Sequence, residues 1–162
     1  MTYGDLSQEA VEKHQEAGEI LVEVMAEAKE MVEPGASHLE VAESAEERIV
    51  ELGGEPAFPV NISIDNEASH ATPEVDDETV FGEDDMICLD VGVHVDGYIA
   101  DAATTIDFSG NDELVEAAEQ ALDAALDEVE AGAEVGVVGQ AIEDVIDGYG
   151  YSPVLNLSGH GL

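Results

Sequence analysis

The stretch that decides the fold is Met86–Phe108, MICLDVGVHVDGYIADAATTIDF, in which two β-rich runs flank Asp96-Gly97. An Asp-Gly pair between alternating segments predicts a β-hairpin, because both central residues of a type I′ turn need positive φ. A two-residue turn also fixes the register of the strands. The prediction therefore extends to individual cross-strand pairs, beginning with Val95 opposite Tyr98.

The predicted register places two acidic side chains on one face of the hairpin. Gly92 lies opposite Asp101 and Asp90 opposite Ala103, so Asp90 and Asp101 are diagonal neighbours. Diagonal Cβ atoms are about 7 Å apart, which lets both carboxylates reach a pair of ions about 3.5 to 4 Å apart. Both aspartates interrupt apolar runs, where an unpaired carboxylate is costly. The alternative is that they are ordinary residues of an acidic chain, and one bulge would break their parity.

The opposite face of the hairpin is apolar and is expected to pack on the core. Cys88 shares the face of Asp90, and we interpret it as a structural residue. Because it is the single cysteine of the sequence, an internal disulfide is excluded. The expected core face consists of Leu89, Val91, Val93, Val95, Tyr98, Ala100, Ala102 and Ile106.

The charge balance of the chain is extreme. Its 162 residues include 40 Asp plus Glu and 3 Lys plus Arg, a formal net charge of −37, whereas 44% apolar residues suffice for one domain with a core. Self-repulsion of this size destabilises a compact state unless salt screens it. We therefore expect a protein of a halophilic cytoplasm. A disordered acidic tail is excluded by the apolar periodicity along the whole chain.

Phosphate-rich partners do not suit such a surface. Nucleic acids and anionic membranes are bound through Lys and Arg, which the chain nearly lacks. The N-terminal residues do not resemble a signal peptide, and no run approaches the roughly 20 apolar residues of a membrane span.

Periodicity and capping signals predict further elements around the hairpin. They are a helix after Ser7, a helix capped by Ser37 and ended by Gly53-Gly54, a strand over 58–64, a helix after Ser109-Gly110-Asn111, a helix over about 138–148, and a strand over 153–157. A weak repeat at a shift of 97 residues aligns Gly35 with Gly132 and Gly53 with Gly150. The second copy stops before its own hairpin, so we expect the chain to be the first part of a longer enzyme.

Of the five histidines, two fall in predicted loops, two in predicted helices and one, His94, in the hairpin. His70 follows a predicted strand in a polar loop, and glycines flank His160. Such glycines permit close approach to a ligand but also fit an ordinary turn. We interpret His14 and His38 as structural or exposed.

Several motifs together resemble the N-terminal portion of a type II methionine aminopeptidase of archaeal style. The resemblance covers essentially the whole chain. Its motifs are Phe58-Pro59-Val60-Asn61-Ile62-Ser63, Ala68-Ser69-His70-Ala71-Thr72-Pro73, Leu89-Asp90-Val91-Gly92, Ile99-Ala100-Asp101 and Asn156-Leu157-Ser158-Gly159-His160-Gly161.

The resemblance implies a pita-bread α/β fold, with a first half-repeat of about 1–110 and the start of a second over about 111–162, within one catalytic domain. It implies two divalent ions (Co, Mn, Fe or Zn), with Asp90 and His160 as ligands and Asp101 as the bridge. It also implies that His70 contacts the substrate and helps stabilise the tetrahedral intermediate. Two glutamate ligands and a second substrate histidine belong beyond residue 162.

The resemblance implies removal of initiator methionine from peptides and nascent proteins. We expect an apolar methionine pocket that uses Phe58 and Ile62, a monomer when the chain is full length, and an inactive fragment over 1–162. Two alternatives stay open. One is an X-Pro dipeptidase or aminopeptidase P of the same fold, and the other is a metal-free homologue that only binds peptides.

Overall fold

The computed structural model describes residues 7–67, 69–155 and 159–161, which form two compact units. The first unit extends to Ser109 and the second covers Gly110–Gly161. The first contains the helices α1 (Gln8–Met31) and α2 (His38–Glu51) and the strands β1 (Glu55–Pro56), β2 (Asn61–Ile64), β3 (Met86–Val95) and β4 (Tyr98–Asp107). The second contains α3 (Asp112–Asp127) and α4 (Val135–Gly148).

The hairpin of β3 and β4 has the predicted register. Its antiparallel ladder runs without a bulge from the pair Val95–Tyr98 at the turn to the pair at the far end of both strands. Asp96 and Gly97 have φ values of 54° and 86°, as a type I′ turn requires. The turn therefore determines which side chains of the two strands share a face.

The other edge of β3 is paired with β1 and β2, both antiparallel. The predicted strand over 58–64 is shortened to Asn61–Ile64. Three features explain the interruption. Pro59 has no N–H to donate, the Val60 N–H donates to Glu46 Oε1 at 3.1 Å, and the Phe58 ring lies over Gly92. The chain returns to the ladder only after these residues.

The core lies between one face of this sheet and the helices α1 and α2. Leu89, Val91, Val93 and Val95 are buried, as predicted. Ala100 and Ile106 pack on the rim of the core, but Ala102 is exposed, in contrast to the prediction. The helices contribute the buried residues Ala17, Leu21, Val24, Ala28, Val41, Ala45 and Ile49.

The predicted helix caps are present in the first unit. Ser7 Oγ accepts a hydrogen bond from the Ala10 N–H at 3.1 Å, and Ser37 Oγ accepts one from the Glu40 N–H at 3.3 Å. These bonds satisfy donors that the first turn of a helix leaves unpaired.

The sequence repeat extends to the backbone. Gly35 and Gly132, which the repeat aligns, have φ values of 89° and 95°. Gly53 and Gly150 have φ values of 96° and 82°. All four glycines thus adopt the left-handed backbone conformation, which glycine favours.

The second unit is a helical pair in which α3 buries three small side chains, Ala117, Ala121 and Ala125. Of the strand predicted over 153–157, residues 153–155 are not in a strand, and 156–157 lie outside the described residues. Within the described part of the chain, no helix combines the length and the apolar character that a membrane span needs.

The approach of Phe58 to Gly92 predicts a specific loss of stability. A Cβ built on Gly92 would lie 2.2 Å from Phe58 Cε1. We expect Gly92→Ala to lower the free energy of unfolding by about 1–3 kcal/mol, the usual range for overpacking. Chemical denaturation in molar KCl measures it.

A double variant and a matched glycine control test the cause of this loss. Adding Phe58→Ala to Gly92→Ala removes the clash, so the two changes should cost less together than the sum of the single variants. Gly18, in the middle of α1, has open space around its Cβ position. Gly18→Ala should therefore be neutral or stabilise by up to about 1 kcal/mol. Additive losses in the double variant would refute the clash.

The buried imidazole of His38 predicts a pH dependence. It stacks on Phe81 with ring centroids 4.2 Å apart, and its Nε2 has no hydrogen-bond partner among the described residues. Burial lowers the pKa of His38 below its ordinary value of 6.5, although Asp77, Asp85 and Glu67 act in the opposite direction. The folded protein therefore holds this imidazole neutral at a pH where the unfolded chain already binds a proton.

Stability contributed by neutral His38 is lost as the pH falls through about 6.5 toward the lower pKa of the folded state. We expect wild type to lose stability relative to His38→Leu between pH 7.5 and 5.5, measured by denaturation at constant salt. Asp77, Asp85 and Glu67 are present in both proteins, so their own titration cancels in the difference between the two free energies of unfolding. A difference that is independent of pH would contradict the lowered pKa.

Candidate metal centre

Asp90 and Asp101 lie on the same face of the hairpin, opposite to the core. In the ladder, Asp90 pairs with Ala103 and Gly92 pairs with Asp101. The two aspartates are therefore the diagonal neighbours that the sequence predicts. Ala103 carries only a methyl group, and the Phe58 ring occupies the place that a side chain of Gly92 would take on this face.

The electrostatic environment of Asp90 differs from that of a surface carboxylate. Burial raises the pKa of Asp90, and the adjacent Asp101 adds to the rise through its charge and a hydrogen bond. A hydrogen bond from Asn61 and the nearby His70 lower the pKa in part. Two carboxylates thus meet without a Lys or Arg to compensate them. A bound cation would relieve this repulsion, so the donor set fits a divalent metal ion.

The described residues do not form a larger group of candidate ligands. Across residues 7–67, 69–155 and 159–161, no group of three or more His, Cys, Asp or Glu side chains has an arrangement that could hold a metal ion. The two glutamate ligands that the resemblance implies stay a prediction.

His70 lies in the loop that follows β2, and its side chain is exposed. Its φ of 64° is in the left-handed region, which costs a residue other than glycine about 1–3 kcal/mol. The loop is attached to β2 by a hydrogen bond of 2.7 Å from the Ile62 N–H to the Ala71 carbonyl. A charge on His70 lowers the pKa of Asp90.

His160 is described in the second unit, where it is exposed and its Nδ1 lies 3.3 Å from the Gly161 carbonyl oxygen. Residues 156–158 of its motif, and Ala68 of the His70 motif, lie outside the described residues. The role of His160 as a metal ligand stays a prediction.

Cys88 shares the face of Asp90 and is half-buried. Burial and the charge of Asp90 raise the pKa of its thiol. The neutral thiol is a poor metal ligand and a poor nucleophile, in agreement with its interpretation as structural.

The expectation that Ile62 lines a methionine pocket next to the aspartates is wrong, because Ile62 lies on the other face of the sheet. Ile62 pairs with Leu89 and is buried in the core, on the side of the sheet away from the aspartates. Phe58, by contrast, covers Gly92 on the aspartate face.

Two polar residues next to the aspartates were not among the predicted site residues. Asn61 is buried on β2 directly opposite Asp90, and Thr72 donates a hydrogen bond of 2.8 Å to Asn61 Oδ1. The sequence feature that could have indicated Asn61 is an amide side chain between the apolar residues Val60 and Ile62. It became informative only once the pairing of β2 with β3 was known.

Residues 12–162 match the model of metallopeptidase family M24. The chain belongs to this family.

Curated members of M24 from archaea are close in sequence. A methionine aminopeptidase of Archaeoglobus fulgidus is 54% identical over 157 residues, which are 97% of this chain and 54% of that protein. One of Methanocaldococcus jannaschii is 50% identical over 153 residues, 94% of this chain and 52% of that protein. The predicted resemblance to archaeal methionine aminopeptidases is confirmed, and the chain spans about half the length of these relatives.

Solved structures confirm the predicted pita-bread α/β fold. A methionine aminopeptidase of Thermotoga maritima has a TM-score of 0.90 at 25% identity and covers 97% of this chain and 67% of its own. A prolidase of Pyrococcus furiosus has a TM-score of 0.77 at 22% identity, over 90% of this chain and 44% of its own. The prolidase likeness is one of fold alone.

Proposed function

We propose that the full-length protein removes the N-terminal methionine of peptides and nascent proteins in a metal-dependent hydrolysis. The observation that carries the proposal is the uncompensated pair Asp90 and Asp101 on one face of the hairpin, in an M24 chain. Curated relatives at 50–54% sequence identity are methionine aminopeptidases, which favours N-terminal methionine as the substrate.

Asp90, Asp101 and His160 are the residues that would hold two divalent ions. Carboxylate oxygens and imidazole nitrogen suit Mn, Fe, Co and Zn. When bound, such ions lower the pKa of a water molecule and polarise a peptide carbonyl. The aspartates hold their charges close together only because the sheet fixes both Cα positions.

His70 is the proposed substrate-binding and catalytic histidine. Its exposed imidazole acts on Asp90 through its charge and belongs to a loop fixed to β2 through Ala71 and Thr72. From there a ring N–H can donate to the carbonyl oxygen of the scissile bond as negative charge develops on it. Phe58 supplies an aromatic surface on the same face for the methionine side chain.

The same fold supports a second substrate class. A prolidase and an X-Pro aminopeptidase structure share it at 22% and 21% identity. Hydrolysis of Met-Gly-type peptides without hydrolysis of X-Pro peptides is the outcome that we expect, and the reverse preference would select this alternative. A protein that binds no metal and hydrolyses neither would be the metal-free peptide-binding homologue.

The ligand roles are tested by Asp101→Asn in the full-length protein. This change preserves shape but removes one charge, and we expect loss of paired metal ions with a fall in activity of about 10³-fold, equivalent to about 4 kcal/mol. Metal content is measured by elemental analysis. Asp84→Asn, an exposed change of equal charge, is the control. Unchanged metal content in Asp101→Asn would refute the site.

A different signature is expected for His70→Ala. It should retain both ions and lose about 10²–10³-fold in kcat, the usual effect of deleting a hydrogen bond to a developing oxyanion. Steady-state kinetics together with metal analysis separate the two roles. Loss of metal in this variant would instead make His70 a ligand.

We also propose that the protein works as a monomer in a halophilic cytoplasm, without nucleic-acid or membrane partners. All three basic side chains are already engaged within the first unit. Lys13 pairs with Glu16 and Asp96, Lys29 reaches Thr104, and Arg48 contacts Glu23, Glu27 and Glu51. The remaining carboxylates depend on dissolved cations for screening.

Salt removal should unfold the chain. The Debye length grows from about 3 Å at 1 M to about 10 Å at 0.1 M, so repulsion among the carboxylates extends further as KCl is diluted. The helical signal of the protein in circular dichroism should disappear as KCl is lowered below molar concentration. NaCl should replace KCl at equal ionic strength, because screening depends on ionic strength. A spectrum that persists at 0.05 M salt would contradict the halophilic assignment.

A further inference from the structure

Asn61 is a buried polar residue at the start of β2, which pairs with the central strand β3. Its β2 position pairs directly with Asp90 on β3, and its side chain is 7% exposed. Directly opposed residues have Cβ atoms about 4.5–5.5 Å apart, so the two side chains are in reach of each other. A buried amide must find partners for both its oxygen and its nitrogen.

The two ends of the Asn61 amide face different partners. Oδ1 accepts a hydrogen bond from Thr72 Oγ1 at 2.8 Å. Asp90 receives a side-chain hydrogen bond from Asn61. A carboxylate can only accept, whereas the threonine hydroxyl can donate, so only one orientation of the amide satisfies both neighbours.

Thr72 belongs to the loop that carries His70. The preceding residue, Ala71, accepts the Ile62 N–H at 2.7 Å. The loop is therefore fixed to two consecutive residues of β2, through the backbone at Ile62 and through a side chain at Asn61. The left-handed conformation of His70, with φ of 64°, needs such restraints to persist.

We propose that Asn61 is a positioning residue, whose amide bridges Asp90 and Thr72 and thereby orients the metal-binding carboxylate and the His70 loop together. The proposal rests on the proposed function, since it assumes that Asp90 binds metal and that His70 contacts substrate.

A neutral amide suits this position better than a basic side chain. Lys or Arg beside Asp90 would compensate the negative charge that a metal ion must find there. Asn61 restricts the rotation of the carboxylate through one N–H and leaves its full charge available. Hydrogen-bond partners of ligating side chains typically change metal affinity by about 10–100-fold when they are removed.

Three variants of the full-length protein test this role. Asn61→Leu deletes both hydrogen bonds and keeps the approximate volume. Thr72→Val deletes only the bond to the loop. Ser63→Ala is the control, because Ser63 is equally buried on the same strand and face but pairs with Cys88. Thermal unfolding verifies that each variant is folded, and Asn61→Ser replaces Asn61→Leu if the latter is not.

The first measurement is Co²⁺ binding, by calorimetry and by the visible absorption of the bound ion. Asn61→Leu should bind Co²⁺ about 10–100-fold more weakly, with a changed absorption spectrum. Ser63→Ala should bind as wild type does. Thr72→Val should remain within about 3-fold of wild type, because the bond between Asn61 and Asp90 is kept.

The second measurement is steady-state kinetics at saturating metal. Thr72→Val should lower kcat or raise KM, because the His70 loop is released while the metal stays bound. If wild type binds Co²⁺ and Asn61→Leu binds it equally well with the same spectrum, the positioning role is refuted and the proposed function stands. If wild type binds no Co²⁺, the proposed function itself fails.

Discussion

The fixed pairing of β3 with β4 is the constraint on which the rest of the first unit depends. Side chains alternate between the two faces of a strand, so a slip of one residue would exchange every inward and outward position. Leu89, Val91 and Val93 would then face solvent, and Asp90 would enter the core. The Asp96-Gly97 turn prevents this slip, because its two positive φ angles admit one register only. Core and proposed site are therefore specified by the same two residues.

One face of the sheet is apolar and the other is polar, and their residues alternate directly along β3. Asp90 lies between Leu89 and Val91, both fully buried on the opposite face. Its carboxylate is consequently half-withdrawn from water, and its charge is supported by the Asn61 amide rather than by a basic side chain. This arrangement costs folding free energy. A chain selected only for stability would have no reason to place a second carboxylate beside it.

The register could be predicted pair by pair because a two-residue turn is a local signal. The strand over 58–64 was predicted too long, since its interruption at Pro59 and Val60 depends on a side chain from α2, Glu46, that no local pattern connects to it. Asn61 and Thr72 were missed for a related reason. Their partnership with Asp90 arises only when a strand far away in sequence pairs with β3, and single-sequence periodicity contains no information about that pairing.

The acidity of the chain makes selective metal binding a harder problem than the local geometry alone indicates. A chain with 40 acidic residues attracts dissolved cations over its surface, and most of its described Asp and Glu residues are exposed to solvent. What distinguishes Asp90 is that burial and Asp101 raise its pKa, so that its charged form is poorly solvated before a cation arrives. The gain on binding a cation is larger there than at a hydrated carboxylate, because less water has to be displaced. Selectivity for the proposed site thus follows from partial burial, which the apolar face of the same hairpin provides.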